Sequence, residues 1–314
     1  MRLVFFAYRG TIGARCLHWL LSRVDAEVAA VVTWPDYLHP EISIAVKEVL
    51  YDAHLPLYQP RDVDSPAFVE RLRRLEPDLL VSMYFGKLLR APLLAVPRHG
   101  CVNIHNSLLP KYRGQAPSIW AIVNGDLETG QTVHYLDEGM DSGDIIAQKS
   151  LPISEHDTGY TLGQKLEDVG VHLFQEVFPA VLSGAAPRVP QNDSLATYCR
   201  APRPGDARID WARPAPAVHN FVRAFTQPMG GAFTRLGGKT VRVWDTAVLD
   251  DEDDSGKGAL CLALAGQPVP WRGRRPCRGG AAGPLWRGVR GVATVRRGRP
   301  GAWFAGAARR ILLA

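Results

Sequence analysis

The chain has 314 residues, 46% hydrophobic and 22% charged, proportions of a soluble globular protein with room for two packed domains. No apolar run reaches the roughly 18–20 residues of a membrane span, and the opening stretch Met1–Tyr8 has no signal-peptide cleavage pattern, so a cytoplasmic protein with no membrane association is expected. The net charge of +6 averages two unlike parts: twelve of the 37 Lys and Arg follow Asp254, where no acid occurs, so residues 1–256 carry 25 basic against 31 acidic side chains, a net of −6.

In chain order, the apolar runs 2–8 and 27–33 predict strands, and the helical spacing of Ile12, Cys16, Leu17, Leu20 and Leu21 predicts a helix over 12–24 between them. Further helices are expected at 42–54, 66–75 and 87–94, with strands at 78–82 and 101–105. This β–α–β alternation predicts a Rossmann-like, mostly parallel sheet flanked by helices on both faces. A strand pair at 131–136 and 144–150 and a long helix over 159–182 complete a catalytic domain spanning 1–183. Residues 184–197, rich in Pro, Gly, Asn and Ala, read as a linker. A smaller β-rich domain follows over 198–256, with a helix at 215–225 after Pro214 and a hairpin turning at Gly237-Gly238. The tail 257–314 is basic and without clear period. It reads as a poorly ordered segment, a shifted reading frame, or a contact for acidic surfaces. The five cysteines are odd in number and none has CxxC spacing, so neither a metal site nor a disulfide framework is expected.

Two segments carry candidate chemistry. The strand ending Asn103-Ile104-His105 puts an amide and an imidazole on one face, at the C-terminal edge where open α/β sheets place ligands. An amide donor can stabilise an oxyanion, and an imidazole can move a proton. The same two residues could also merely cap a strand. The second segment, Asp137-Glu138-Gly139-Met140-Asp141-Ser142-Gly143-Asp144, is a tight acidic loop able to set a carboxylate beside that imidazole. Its spacing does not match a calcium-binding EF-hand loop. Tyr8-Arg9-Gly10-Thr11-Ile12-Gly13 is a β–α turn with GxxG in place of the dinucleotide GxGxxG.

Together these segments carry a resemblance. Asn103, then His105-Asn106-Ser107-Leu108-Leu109-Pro110-Lys111-Tyr112-Arg113-Gly114, then the Asp137–Asp144 loop, resemble the folate-dependent formyltransferase family over residues 1 to about 250. Ile209-Asp210-Trp211, Val218–Ala224 and Gly231–Thr234 are similar to that family's OB-like C-terminal domain. The resemblance implies transfer of a formyl group from 10-formyltetrahydrofolate to an amine, with no metal. By it Asn103 would hold the formyl oxygen and stabilise the tetrahedral intermediate. His105 would be the acid–base residue, and Asp141 would orient His105 and support deprotonation of the amine. Gly86, Lys87, Leu88, Leu89, Gln115, Asp137, Glu138, Gly139 and Met140 match the family's folate-binding segments. Tyr8, Gly10, Thr11, Ser107 and Arg113 lie where it borders the acceptor or fixes its loop.

The acceptor is read from charge. Where the tRNA-acting members place a Gly-, Arg- and Lys-rich loop, Thr33–Glu41 here has two acids and no Lys or Arg, whereas tRNA phosphates call for cations. A small-molecule amine is therefore expected ahead of tRNA. Phe6-Ala7-Tyr8, Leu109–Gly114 and Val123-Asn124-Gly125 look most like the branch acting on nucleotide-linked amino sugars, such as the UDP-4-amino-4-deoxyarabinose enzyme, although Gln115 replaces an arginine there. An amino acid or antibiotic intermediate stays open as acceptor, as do a homodimer and a folate-binding protein without turnover.

Overall fold

The computed structural model describes residues 1–8, 10–35, 44–236 and 238–249, with strand segments at 259–264, 267–271, 295–297 and 310–313. They fall into two compact units. The first comprises Met1–Pro117, Glu128–Pro152 and Gly163–Arg200; the second comprises Ser118–Leu127, Ile153–Leu162 and Ala201–Ala314. Arg9, most of the acceptor-side loop at 36–43, Gly237 of the expected hairpin turn and much of the basic tail lie outside the described residues.

The first unit follows the expected alternation. It runs β1 (Arg2–Ala7), α1 (Ile12–Leu21), β2 (Glu27–Val32), α2 (Ile44–Ala53), β3 (Leu57–Tyr58), α3 (Pro66–Arg73), β4 (Leu79–Met83), α4 (Ala91–Leu94), β5 (Cys101–His105) and β6 (Arg113–Gly114). After α5 (Pro117–Asn124) come β7 (Glu128–Tyr135), β8 (Ile145–Pro152), α6 (Gly159–Leu182) and β9 (Tyr198–Cys199). The seven-stranded sheet has the order β3-β2-β1-β4-β5-β7-β8. The strands from β3 to β5 are parallel, while β7 and β8 are antiparallel to their neighbours.

Alternation along the strands explains both layers. Leu3, Phe5 and Ala7 of β1, with Leu79, Val81 and Met83 of β4, turn to one face and pack on α1, α2 and α6 through Leu17, Leu50 and Phe174. Val4, Phe6 and Leu80 turn to the other face and pack on α3 and α4 through Phe68, Leu72 and Leu93. Strands buried on both faces read as continuous apolar runs, and β1, β2 and β4 do.

Residues 184–197, expected as a connection, and 198–200, expected to open the second domain, are hydrogen-bonded into the first unit. Val189 bridges Ile145, and β9 pairs with β6 in parallel. The second unit holds α7 (Ala215–Phe225) and the hairpin β10 (Ala232–Leu236) with β11 (Lys239–Val243). It continues with β12 (Val248–Leu249), β13 (Ala259–Leu264), β14 (Gln267–Trp271), β15 (Val295–Arg297) and β16 (Arg310–Leu313), arranged as sheets β10-β11-β16-β15 and β12-β13-β14. It is β-rich, as expected. Segments 118–127 and 153–162 join it because Trp120 packs edge-on to Phe225 and Arg223 donates to the Ser154 and Asp157 carbonyls at 3.0 and 2.6 Å. No helix among the described residues is long and apolar enough to cross a membrane.

Close packing of β7 on β8 requires Gly130, where a Cβ would run into the Lys149 carbonyl and the Leu108 side chain. Gly130→Ala is expected to cost about 1–3 kcal/mol, seen as a lowered urea midpoint; an unchanged midpoint would contradict this packing.

Candidate active site

The sheet face covered by α3 and α4 changes character along β5. Cys101 belongs to the apolar cluster there, but Asn103 and His105, the next residues on that face, are polar. Antiparallel β7 places His134 opposite Asn103 and Thr132 opposite His105, and paired residues share a face. His134 thus enters the site with its side chain fully buried. In the sequence 131–136 is legible as a strand paired with 144–150, but not its pairing with β5 or the register that sets His134 opposite Asn103.

Hydrogen bonding fixes both rings. The His134 Nδ1 lies 2.7 Å from the Tyr135 carbonyl, which can only accept. With the proton on Nδ1, Nε2 is left to accept from the Asn103 Nδ2 at 3.1 Å. The Asn103 amide is thereby oriented and keeps a second N–H for another acceptor. His105 Nε2 lies 2.8 Å from the Tyr112 carbonyl and donates to it. The remaining nitrogen, Nδ1, faces the Asp141 Oδ2 at 3.5 Å, while Asp141 Oδ1 is 3.6 Å from His134 Nε2.

Asp141 sits in left-handed backbone with φ +51°. Its loop is tightened by Asp137, whose Oδ1 accepts from the Gly139 amide at 3.0 Å and the Ser142 hydroxyl at 2.8 Å. The Gly114 amide donates to Asp141 Oδ2 at 2.9 Å. Burial would raise the Asp141 carboxyl, but attraction to the His105 and His134 rings in their protonated forms, together with the Gly114 amide, holds it well below the usual carboxylate range. Burial dominates at His105 and lowers its pKa below the ordinary 6.5, against the upward pull of Asp141. The resting pair is therefore an ionised Asp141 beside a neutral His105. The Gly114 amide donates whatever the ring's charge, whereas attraction from His105 acts only when that ring is protonated.

The other expected residues separate into groups. Leu88, 53% exposed, follows β4, and Met140, 49% exposed, follows β7. Gln115 ties this region together, donating to the Gly86 carbonyl at 3.3 Å. Gly86 has φ +73°, and a Cβ there would meet only the Tyr84 carbonyl within 4 Å, so the backbone at this turn is open to close approach. Leu89 is buried with α4, and Glu138 and Gly139 are exposed. Tyr8 stacks on Trp34 with centroids 4.4 Å apart, and the Lys87 ammonium lies 4.5 Å from the Trp34 ring centre. Gly10 lies against Glu167, where a Cβ would meet the carboxylate, and Thr11 donates through N and Oγ1 to the same Glu167 at 2.9 and 2.7 Å. Ser107 donates to the Lys111 carbonyl.

Arg113 is 2% exposed. Its guanidinium donates to Gln191 Oε1, Asp193 and the Tyr198 hydroxyl. The Gln191 amide in turn donates to the carbonyls of Asp141 and Gly143, both at 2.8 Å. Cys199 donates its S–H to the Tyr112 carbonyl that also serves His105. Burial, then Asp141, pushes this thiol up to about 12, so it stays protonated. Among the described residues no group of three or more His, Cys, Asp or Glu is placed to hold a metal ion.

Residues 1–178 match the Formyl transferase family and residues 203–269 match the Formyl transferase C-terminal domain. The methionyl-tRNA formyltransferase of Geobacter sulfurreducens is 38% identical over 265 residues, covering 82% of this chain and 81% of that protein. A sugar N-formyltransferase from a Shewanella species shares the fold with TM-score 0.64 at 18% identity, over 80% of this chain and 99% of the other. An N-formyltransferase from Helicobacter canadensis, solved with folinic acid and dTDP-3-aminofucose, aligns with TM-score 0.61 at 20% identity over 82% and 94%. Both domains of one family are matched in order, and a 38% identical relative spans four-fifths of the sequence, so the chain belongs to the folate-dependent formyltransferase family.

Proposed function

We propose that this N-formyltransferase works through Asn103, His105 and Asp141 and delivers the formyl group to a small-molecule amine. The observation that carries the catalytic part is the buried His105 ring with Nδ1 3.5 Å from the Asp141 carboxylate and the Asn103 amide on the same sheet face. Asn103, oriented by His134, directs its second N–H at the formyl oxygen as negative charge develops there. His105 commits Nε2 to Tyr112, so Nδ1 is its basic nitrogen and looks at Asp141. A proton released by the attacking amine is held between these two groups and passed on to the departing folate nitrogen. Stabilised by Asp141, the imidazolium lasts long enough for that second transfer.

The loops fit a folate donor. Two exposed apolar side chains, Leu88 and Met140, and open backbone at Gly86 suit a flat heterocycle that pairs its edge with peptide groups. Gly86, Lys87, Leu88 and Leu89 would hold it from one side, and Asp137, Glu138, Gly139 and Met140 with Gln115 from the other. When bound, 10-formyltetrahydrofolate supplies the activated formyl group.

For the acceptor, charge decides. Thr33–Glu41 contains no Lys or Arg, and residues 1–256 carry a net of −6. A polyanion would meet little cationic surface there. A small acceptor such as a nucleotide-linked amino sugar asks for fewer cations than a tRNA and fits that charge better. A second reading is methionyl-tRNA formylation, favoured by the name of the 38% identical relative. Ser107, Arg113, Gly10 and Thr11 support these loops from within the protein.

Three outcomes are expected. Asn103→Ala should lower kcat about 10²–10³-fold, and His105→Ala or Asp141→Asn should lower folate-dependent formylation about 10⁴-fold while thermal unfolding shows a folded protein; turnover near wild type in both would end the catalytic assignment. In NMR titration the His105 ring should titrate below 6.5, and lower still in Asp141→Asn, since loss of the carboxylate removes the influence that raises it; an upward move would contradict the pairing. Assayed with 10-formyltetrahydrofolate, uridine- or thymidine-diphosphate amino sugars should be formylated and methionyl-tRNA should not. Turnover of methionyl-tRNA that falls steeply with salt would instead establish the second reading.

A further inference from the structure

Asp141 reaches the two imidazoles from a left-handed backbone, φ +51°, a conformation that costs a non-glycine residue stability unless its surroundings hold it. Its carboxylate has the Gly114 amide as anchor. What fixes its main chain comes from much later in the sequence. Gln191 donates through Nε2 to the carbonyls of Asp141 and Gly143, both at 2.8 Å. Those carbonyls lie on either side of Ser142, so one amide clamps the turn that aims the carboxylate.

The other end of the Gln191 amide is occupied as well. Its Oε1 accepts from Arg113 Nε at 3.1 Å and Nη2 at 2.8 Å. With the oxygen held by a guanidinium, the amide cannot flip, and its N–H groups can only point at the Asp141 turn. Arg113 directly precedes Gly114, the residue whose amide binds the Asp141 carboxylate. A single charge-assisted chain, Arg113 to Gln191 to Asp141 and back to Gly114, thus closes around the carboxylate. Arg113 is 2% exposed, so this chain is shielded from competing water.

We infer that Gln191 is a positioning residue for formyl transfer. It acts through the main chain of Asp141, and Arg113 keeps it in the donating orientation. The Gln191 hydrogen bonds go to Arg113, Asp141 and Gly143, so its influence on the reaction passes through Asp141. The inference rests on the reading of Asp141 as part of the catalytic machinery.

The test separates donation to the turn from the bond to Arg113. Gln191→Glu keeps an acceptor for Arg113 but has no N–H for the carbonyls of Asp141 and Gly143. Gln191→Met, of similar length, removes both. Gln191→Glu should lower kcat about 10²-fold, the scale of a misplacement near 1 Å, with the KM for 10-formyltetrahydrofolate within about twofold of wild type and the protein folded by thermal unfolding. If Gln191→Glu does not fold, Gln191→Met decides by the same kcat and KM readout. Placed on Asp141→Asn, either substitution should reduce the residual rate less than threefold, the non-additivity of residues acting as one unit. Full kcat in Gln191→Glu, or an undiminished further loss on Asp141→Asn, would overturn the inference. If Asp141→Asn itself keeps full turnover, the catalytic reading of Asp141 fails first, a different result from an active Gln191→Glu beside an inactive Asp141→Asn.

Discussion

A carboxylate that must stay ionised out of water, between two imidazoles, sets the conditions for the rest of this site. Asp141 is largely buried, and burial disfavours its charge. The charge persists because a peptide amide, from Gly114, donates to it, and either flanking ring attracts it further once protonated. Each of those partners must itself be held. Gly114 is set by the pairing of β6 with β9, where a Cβ would strike the Cys199 carbonyl. His105 is set by Tyr112, and His134 by the Tyr135 carbonyl and the Asn103 amide. The polar groups form one connected set, as a buried polar cluster requires.

That requirement accounts for where the chain spends its irregular structure. The parallel strands supply a rigid edge, and β5 brings Asn103 and His105 to it as consecutive residues on one face. Edge geometry alone cannot place a carboxylate opposite them. The turn after β7 does so with positive φ at Asp141 and a tight approach at Gly143, where a Cβ would meet the Tyr135 carbonyl. Residues 184–197, which read as a linker from their composition, return to the sheet with β9 directly after them and close the arrangement through Gln191 and β9.

Much of this was legible in the sequence, for physical reasons that differ by element. Strands β1, β2, β4 and β5 and helices α1, α3 and α6 announce themselves because burial imposes a period of 2 or 3.6 on their side chains. Asn103 and His105 were legible as partners because period 2 puts them on one face, and Asp141 because four acids among glycines form a distinctive turn. The two-residue strands β6 and β9 were not legible, since two residues carry no period. His134 depended on the register of β7 against β5, and register is a tertiary property. Gln191 was hidden by its surroundings: a stretch rich in proline and glycine is usually a connection, and nothing local shows that one amide within it faces a turn fifty residues earlier.

Position along the sheet edge also bears on what the enzyme formylates. The proton-handling groups cluster where β5 meets β7, whereas Tyr8, Trp34 and Lys87 follow β1, β2 and β4. Neighbouring strands are about 4.8 Å apart, so three steps from β5 to β2 span on the order of 14 Å along the edge. On the proposed reading the turn after β4, between those two places, belongs to the folate, so the acceptor amine reaches His105 from the β7 side of that turn. A tRNA acceptor stem reaching the same edge would be held mainly through its phosphates, and binding of that kind scales with the number of cations along the path. The sequence from Thr33 to Glu41 contains no Lys or Arg, and on the proposed reading the acceptor is a small molecule that does not need them.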